Sequence, residues 1–268
     1  IKVTEPAWKK IKANIYNHNM KILAQDASGS VTIATGKYST AMGYGTRATG
    51  NYSTAMGFMT KEKDLSGIIR QASGVASTVM GYQTDASGNY STAMGFQTIA
   101  SEESSTAMGC LTTARGLCST AMGFQTDASG NASTATGANT KAIGPYSFAM
   151  GLKTTARGLN STAMGIMTDA SGDCSIAIGG EAKAIGNYSR AMGTETEASG
   201  ACSTAIGNKT KAIGNFSTAI GNGTEAGGNA STAMGAMTKA IGEQSTAMGF
   251  STEAIGEKST AMGFSTEA

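Results

Sequence analysis

Residues 231–244 read Ser-Thr-Ala-Met-Gly-Ala-Met-Thr-Lys-Ala-Ile-Gly-Glu-Gln, and variants of this stretch fill most of the 268-residue chain. The glycine that ends each Ser-Thr-Ala-Met-Gly block, or its variant, recurs every 14 residues. The one exception is the interval from Gly57 to Gly81, which is one repeat plus ten residues. We number the repeat from its serine, so position 5 is the block glycine and a second glycine usually stands at position 12. A fixed period of 14 predicts a solenoid of stacked coils. The position-5 glycines are residues 43, 57, 81, 95, 109, 123, 137, 151, 165, 179, 193, 207, 221, 235, 249 and 263.

The repeat favours β-strands over helices. Two glycines in each 14 residues would each cost a helix about 1 kcal/mol, and no apolar stripe of helical period offsets that cost. An alternation of period 2 fits instead, because position 9 is mostly charged while positions 8, 10 and 12 are Thr, Ala and Gly. We therefore expect an all-β, parallel β-solenoid with two short strands in each coil, in which each strand pairs with its equivalent one repeat later at roughly 4.8 Å.

Position 9 carries charges whose sign alternates along the second half of the chain. Unlike charges would then face each other in neighbouring coils, whereas a slip by one repeat would bring like charges together. We interpret this row as a register ladder. A plain solvated polar row is the alternative interpretation. The ladder consists of Asp169, Lys183, Glu197, Lys211, Glu225, Lys239 and Glu253.

Position 4 carries a large apolar residue in every repeat except the one with Thr136. We expect this position-4 row to point inward as the structural core, where it would pack over Ala at position 10 and Gly at position 12. The alternative is an outward row, which would leave a continuous Met-Thr stripe that needs a partner. Either orientation implies that subunits associate. The row consists of Met42, Met56, Met80, Met94, Met108, Met122, Met150, Met164, Ile178, Met192, Ile206, Ile220, Met234, Met248 and Met262.

The repeat resembles the head repeat of YadA-like trimeric autotransporter adhesins. The likeness rests on Ser-Thr-Ala-Met-Gly followed by Thr at position 8, as in residues 91–95 with Thr98 and residues 217–221 with Thr224, and it extends over about residues 31–268. This sequence has Thr-x-Met where Val-x-Ile is usual in that family. The resemblance implies a left-handed parallel β-roll, three rolls side by side, and a head that is displayed on a stalk and binds matrix or host surfaces.

The ends and the single long interval set the expected domain organisation. Residues 1–30 do not follow the repeat fully, and we expect them to form an N-terminal cap or a docking segment for another subunit. Residues 31–268 form the solenoid of about 16 coils, with an inserted surface loop at about 61–71. The sequence stops at Ala268 within a repeat, so we expect the chain to continue beyond it. The proposed cap residues are Trp8, Ile11, Ile15 and Tyr16.

Residues suited to catalysis or metal binding do not converge in this sequence. The only histidine is His18, outside the repeats, so no Ser-His-acid triad can form around the repeated serines. Acidic residues lie in regular rows, and neither a phosphate-binding loop nor a calcium-binding nonapeptide pattern is present. We expect no enzyme activity, cofactor or metal. The four cysteines have no metal-ligand spacing and are interpreted as corner residues, or alternatively as contacts between subunits; they are Cys110, Cys118, Cys174 and Cys202.

Composition narrows the classes of partner. The net charge is +2 with no basic run longer than Lys9–Lys10, which disfavours nucleic acid, and no apolar stretch approaches the roughly 20 residues of a membrane span. With 37 Gly and only 2 Pro, the chain is neither an ordinary globular protein nor collagen.

These observations together predict an extracellular or cell-surface fibrous protein that acts as a display and adhesion rod. We expect self-association as a homotrimer or filament, with host matrix or cell-surface molecules as further partners. A structural subunit of an extracellular filament, or of a viral or appendage fibre, is the alternative. An ice-binding solenoid is a further alternative because Thr recurs at position 2, although Met rather than Thr follows at position 4.

Overall fold

The computed structural model describes residues 24–25, 31–58 and 71–268. The proposed cap residues, and all but the last residue of the predicted insertion, lie outside these ranges. All regular structure within them is β-strand. The chain divides into two compact units, Ile1–Thr126 and Asp127–Ala268.

Each coil contributes a long strand at positions 2–6 and, in most coils, a two-residue strand at positions 9–10. The strands of the first unit are β1 (Ala24–Gln25), β2 (Val31–Ala34), β3 (Thr40–Tyr44), β4 (Arg47–Ala48), β5 (Thr54–Phe58), β6 (Thr78–Tyr82), β7 (Asp85–Ala86), β8 (Thr92–Phe96), β9 (Ile99–Ala100), β10 (Thr106–Cys110), β11 (Thr113–Ala114) and β12 (Thr120–Phe124).

The second unit continues the same alternation of long and short strands. Its strands are β13 (Asp127–Ala128), β14 (Thr134–Ala138), β15 (Lys141–Ala142), β16 (Phe148–Leu152), β17 (Thr155–Ala156), β18 (Thr162–Ile166), β19 (Asp169–Ala170), β20 (Ile176–Gly180), β21 (Lys183–Ala184), β22 (Arg190–Thr194), β23 (Glu197–Ala198), β24 (Thr204–Asn208), β25 (Lys211–Ala212), β26 (Thr218–Asn222), β27 (Glu225–Ala226), β28 (Thr232–Ala236), β29 (Lys239–Ala240), β30 (Thr246–Phe250), β31 (Glu253–Ala254) and β32 (Thr260–Phe264).

Equivalent strands pair in parallel at a register of one repeat. In the first unit Met94 of β8 lies opposite Met108 of β10, and in the second unit Met150 of β16 lies opposite Met164 of β18. The predicted parallel β-solenoid of about 16 coils with a 14-residue period is therefore confirmed. The long interval does not shift the register, because β5 pairs directly with β6 and places Met56 opposite Met80. Strand β1 pairs with β2 in the antiparallel sense.

Ala, Ser and Thr side chains fill most of the interior of the roll, and Val79 takes position 3 in one coil. In the second unit Ala163 and Ala170, at positions 3 and 10, have no exposed surface, and neither does Ser161 at position 1; Thr168 at position 8 is 1% exposed. The predicted inward orientation of positions 8 and 10 is therefore correct. Because side chains alternate along a strand, an inward position 3 sends position 4 outward.

The prediction that the position-4 row forms the structural core is consequently wrong. Met42 is 48% exposed and Met262 is 62% exposed, and the other members of the row from Met56 to Met248 also lie on the outer face of the long strands. The physical reason is the close approach of the two facing strands, since the space between them is filled by Ala, Ser and Thr. A Met side chain has no room there.

The stacked coils approach so closely that they favour glycine at positions 5 and 12, although Glu102 stands at position 12 of one coil. Gly165 has a φ of +126°, and a Cβ on it would lie 2.0 Å from the carbonyl oxygen of Gly179. At position 12, a Cβ on Gly186 would lie 2.1 Å from the oxygen of Gly200. Such distances are far inside van der Waals contact. The glycine pattern therefore reflects how closely successive coils approach.

Candidate interaction faces

The outer side of the long strands presents an apolar surface in each unit. We call it the long-strand face; it consists of the outward side chains at positions 2, 4 and 6. The Thr residues at position 2 are mostly half-buried, as Thr92 is, and the position-4 residues are half-buried to exposed. Exposed apolar stripes of this length mark surfaces that contact another molecule. Arg190 is an exception, because it puts an exposed cation at position 2.

Position 6 adds an aromatic column to this face in part of the chain. In the first unit the ring centroids of Tyr44 and Phe58 are 4.9 Å apart, and those of Tyr82 and Phe96 are 5.1 Å apart. The second unit has a stacked pair only near its end, among the described residues, at Phe250 and Phe264. Sequence analysis did not single out this column, although aromatic residues at one fixed repeat position were the available signal.

The outer side of the short strands carries the charged row. The strand register places Asp169 opposite Lys183 and continues this opposition of unlike charges through to Glu253. The closest contact within the row joins Lys239 Nζ to Glu253 Oε1 at 3.8 Å, and Arg157 at position 11 forms an ion pair with Asp169. Because the signs cancel along the row, this face does not attract ions of one sign. Its role in selecting the register stays a prediction.

A column of asparagine residues lines the corner at position 13. In this column the side-chain Oδ1 accepts a hydrogen bond from the backbone N–H of position 13 in the preceding coil. The N···O distance is 2.9 Å from Lys37 to Asn51 and 2.9 Å from Ala201 to Asn215. Asp173 accepts the same bond from Leu159 at 2.9 Å. The amides therefore link coils at a turn, a role that sequence analysis missed.

Side chains that could bind a metal ion do not cluster among the described residues. These residues contain no group of three or more His, Cys, Asp or Glu residues that could hold a metal ion. The cysteines are free, and Cys118 and Cys202 are exposed at the position-14 corner. A cavity of about 10 Å³, room for one water, lies beside Arg47 and Val79. In the parts of the chain that the structure covers, no helix is long and apolar enough to cross a membrane.

The regular coils agree with the comparison to known families. A model of the YadA head domain repeat matches residues 34–58, 72–98, 86–109, 114–140, 142–166, 170–196, 198–224 and 226–252, which is most of the chain. The chain belongs to the YadA head domain repeat family. The resemblance noted from the sequence is thereby confirmed. Each YadA head match describes two copies of the repeat, and residues 142–166 accordingly contain the two long strands β16 and β18. No curated protein matches the chain.

Proposed function

We propose that this chain is the head of an extracellular, non-enzymatic adhesin, and that three copies associate through the long-strand face. The observation that carries the proposal is the position-4 row, an apolar stripe on the outside of a chain that belongs to the YadA head family. Exposure of such an apolar row to water is energetically unfavourable. Covering it with two further copies of the same chain gives it an apolar environment without any change in the roll.

The energetics favour a contact that runs over many coils. Complete burial of a Met side chain stabilises by about 1.5–3 kcal/mol, so covering the 37% of Met150 that is exposed contributes about 0.5–1 kcal/mol. Association costs about 4–15 kcal/mol in lost translational and rotational freedom. One or two coils would not offset that cost, whereas the second unit presents position-4 residues from Met150 to Met262 in successive coils. A long uniform face is what such an assembly needs.

Surfaces outside this contact remain available for adhesion. The short-strand face and the corners at positions 7 and 14 carry the variable residues of the repeat, such as the exposed Tyr146 and Phe216. In solenoid proteins binding is commonly assigned to variable residues of this kind, on a framework that repeats. We infer that the repeated core positions hold each unit together while these side positions bind matrix or cell-surface molecules.

Light scattering coupled to size exclusion tests the assembly. We expect a mass of three times 26.9 kDa. Met150→Lys should dissociate or weaken the trimer while the roll stays folded, because the side chain points away from the core. Thr155→Lys is the matched control, since it adds the same charge to the short-strand face of the same coil. Equal effects of the two variants, or a stable monomeric parent, would contradict the proposal.

Adhesion needs its own experiment. Trimers presented on beads should bind matrix-coated or cell-coated surfaces above the level of beads that carry Met150→Lys. Assemblies that elongate with concentration, without surface binding, would instead support the filament subunit. Thermal hysteresis measured on the same samples tests the ice-binding alternative. Its presence would support ice binding, and its absence would contradict it.

A further inference from the structure

Nearly every asparagine of the solenoid stands two residues before a core hydroxyl of the repeat. Asparagine at position 13 precedes the position-1 serine in this way, and asparagine at position 6 precedes the position-8 threonine. The resulting Asn-x-Ser/Thr triplets contain no proline, and each asparagine is exposed. This triplet is the acceptor motif for N-linked glycosylation. These asparagines are Asn51, Asn89, Asn131, Asn187, Asn208, Asn215, Asn222 and Asn229, whereas Asn160, at position 14, begins a triplet that ends at the outward-facing Thr162.

We propose that the position-13 asparagines are N-glycosylation sites that are modified before the coils close. The inference rests on the extracellular location in the proposed function. The acceptor is the side-chain amide, and the donor is a sugar activated as a nucleotide or lipid-pyrophosphate ester. In the reaction Nδ2 forms a bond to the anomeric carbon of the sugar and loses one proton, while the phosphate-linked carrier leaves with the electrons of the broken C–O bond.

The corner geometry is compatible with a glycan on the finished fold. Asn187 Oδ1 accepts a hydrogen bond from Asp173 N at 3.0 Å, and Asn229 Oδ1 accepts one from Asn215 N at 3.1 Å. These bonds use the oxygen of the amide and not Nδ2, and both asparagines are exposed. Glycosylation retains Oδ1 as an acceptor. A sugar on Nδ2 therefore leaves the link between coils intact.

The hydroxyl of the same motif sets the order of events. Ser189, Ser217 and Ser231 belong to the triplets of Asn187, Asn215 and Asn229, and none of the three serines has exposed surface. An enzyme that recognises the triplet must contact this hydroxyl, which it cannot do once the coil is closed. Transfer must therefore occur on the unfolded or emerging chain, and the folded, unmodified head should not be an acceptor.

The position-13 column also lies away from the proposed subunit contact. Asn187 and Asn215 are in the turn that precedes a long strand, whereas the long-strand face uses positions 2, 4 and 6. Asn208 and Asn222 stand at position 6 of that face, so the proposal does not extend to them. Glycans at position 13 would project from the corner of each roll and leave the trimer contact free.

Mass spectrometry of the protein recovered from the surface of cells that naturally make it is the first test. We expect peptides that contain Asn187 and Asn215 to carry the added mass of whole sugar residues. Asn187→Asp should lose one glycan and keep the fold, because Asp173 already makes the same backbone bond in the preceding coil. An unmodified mass for surface-located protein would overturn the proposal.

The order of events has a separate test. Unmodified chain, either folded or unfolded in urea and then diluted, is incubated with a soluble asparagine glycosyltransferase and its nucleotide sugar, alongside a peptide of residues 184–192. We expect the peptide and the unfolded chain to be labelled at least tenfold faster than the folded chain. Equal labelling of folded and unfolded chain, or no labelling of the peptide, would count against the proposal. Trimer mass and protease accessibility on intact cells test the proposed function independently of these results.

Discussion

Lys239 Nζ and Glu253 Oε1 lie 3.8 Å apart on neighbouring short strands, at the same position of successive repeats. Lys211 likewise lies between two residues of opposite charge, because the strand register places it opposite Glu197 on one side and Glu225 on the other. Exposed pairs of this kind contribute about 0–1 kcal/mol each, so no single pair determines stability. The alternation matters because any slip by one repeat converts every attraction in the row into a repulsion.

Lys211→Glu is expected to destabilise the folded chain by about 1 kcal/mol at low ionic strength, because three acidic side chains would then be adjacent. The loss should shrink in high salt, which screens exposed charges. Thermal unfolding at several salt concentrations measures it. Lys211→Gln is the control, since it removes the attraction without adding repulsion. A salt-independent effect, or equal effects of both variants, would show that the row is only a solvated surface.

Most of the backbone architecture could be predicted from the sequence. The 14-residue spacing was sufficient for the coil, its two strands and the parallel register, and the charges at position 9 correctly indicated that positions 8 and 10 face inward. The orientation of the long strand was predicted wrongly because Met is the largest apolar residue of the repeat. The small residues at positions 3, 8 and 10 were the contrary signal, since a roll lined by Ala and Thr on one side has no room for Met on the other.

The corners and the asparagine column could not be predicted from hydrophobic patterning. Positions 7 and 14 have positive φ at residues such as Gln125 and Tyr188, which are not residue types that favour that region. Their conformation is imposed by the stacking of coils on both sides. The hydrogen bonds of Asn187 and Asn215 depend on the distance between adjacent turns. The 14-residue period of the sequence does not specify that distance.

Gly165→Ala should strongly destabilise the solenoid, by about 3 kcal/mol or more. Its φ of +126° disfavours any side chain, and the new Cβ would lie 2.0 Å from the backbone oxygen of Gly179. Gly180→Ala is a matched control, because a Cβ there meets only Thr194 Cγ2 at 3.8 Å and should change stability by less than about 0.5 kcal/mol. Chemical denaturation of both variants gives the comparison. Similar losses would mean that the coils separate enough to accept a methyl group.

Ala230→Gly should stabilise the fold relative to Ala233→Gly. Ala230 is at a corner with a φ of 52°, a conformation that costs non-glycine residues about 1 kcal/mol, whereas Ala233 is a buried strand residue of the next coil. Both substitutions increase the flexibility of the unfolded chain equally, so their difference reports the strain relieved at the corner together with the buried methyl group lost at Ala233. We expect a difference of about 1–2 kcal/mol in the free energy of unfolding. A difference near zero would indicate that the corner is unstrained.

Arg190→Thr should stabilise the trimer, because it restores the usual position-2 residue on the long-strand face. In a threefold assembly with equal subunits, three copies of Arg190 would be brought close together in an apolar contact, where an unpaired cation is costly. We expect a higher thermal midpoint and a weaker dependence on salt for the variant, measured at trimer concentrations that exclude dissociation. Lys153→Asn removes the same charge at an exposed corner with a φ of 56°, which asparagine tolerates, and should have little effect. If Arg190→Thr is neutral or destabilising while Lys153→Asn is neutral, position 2 of this coil lies outside the subunit contact and the proposed interface must be redrawn.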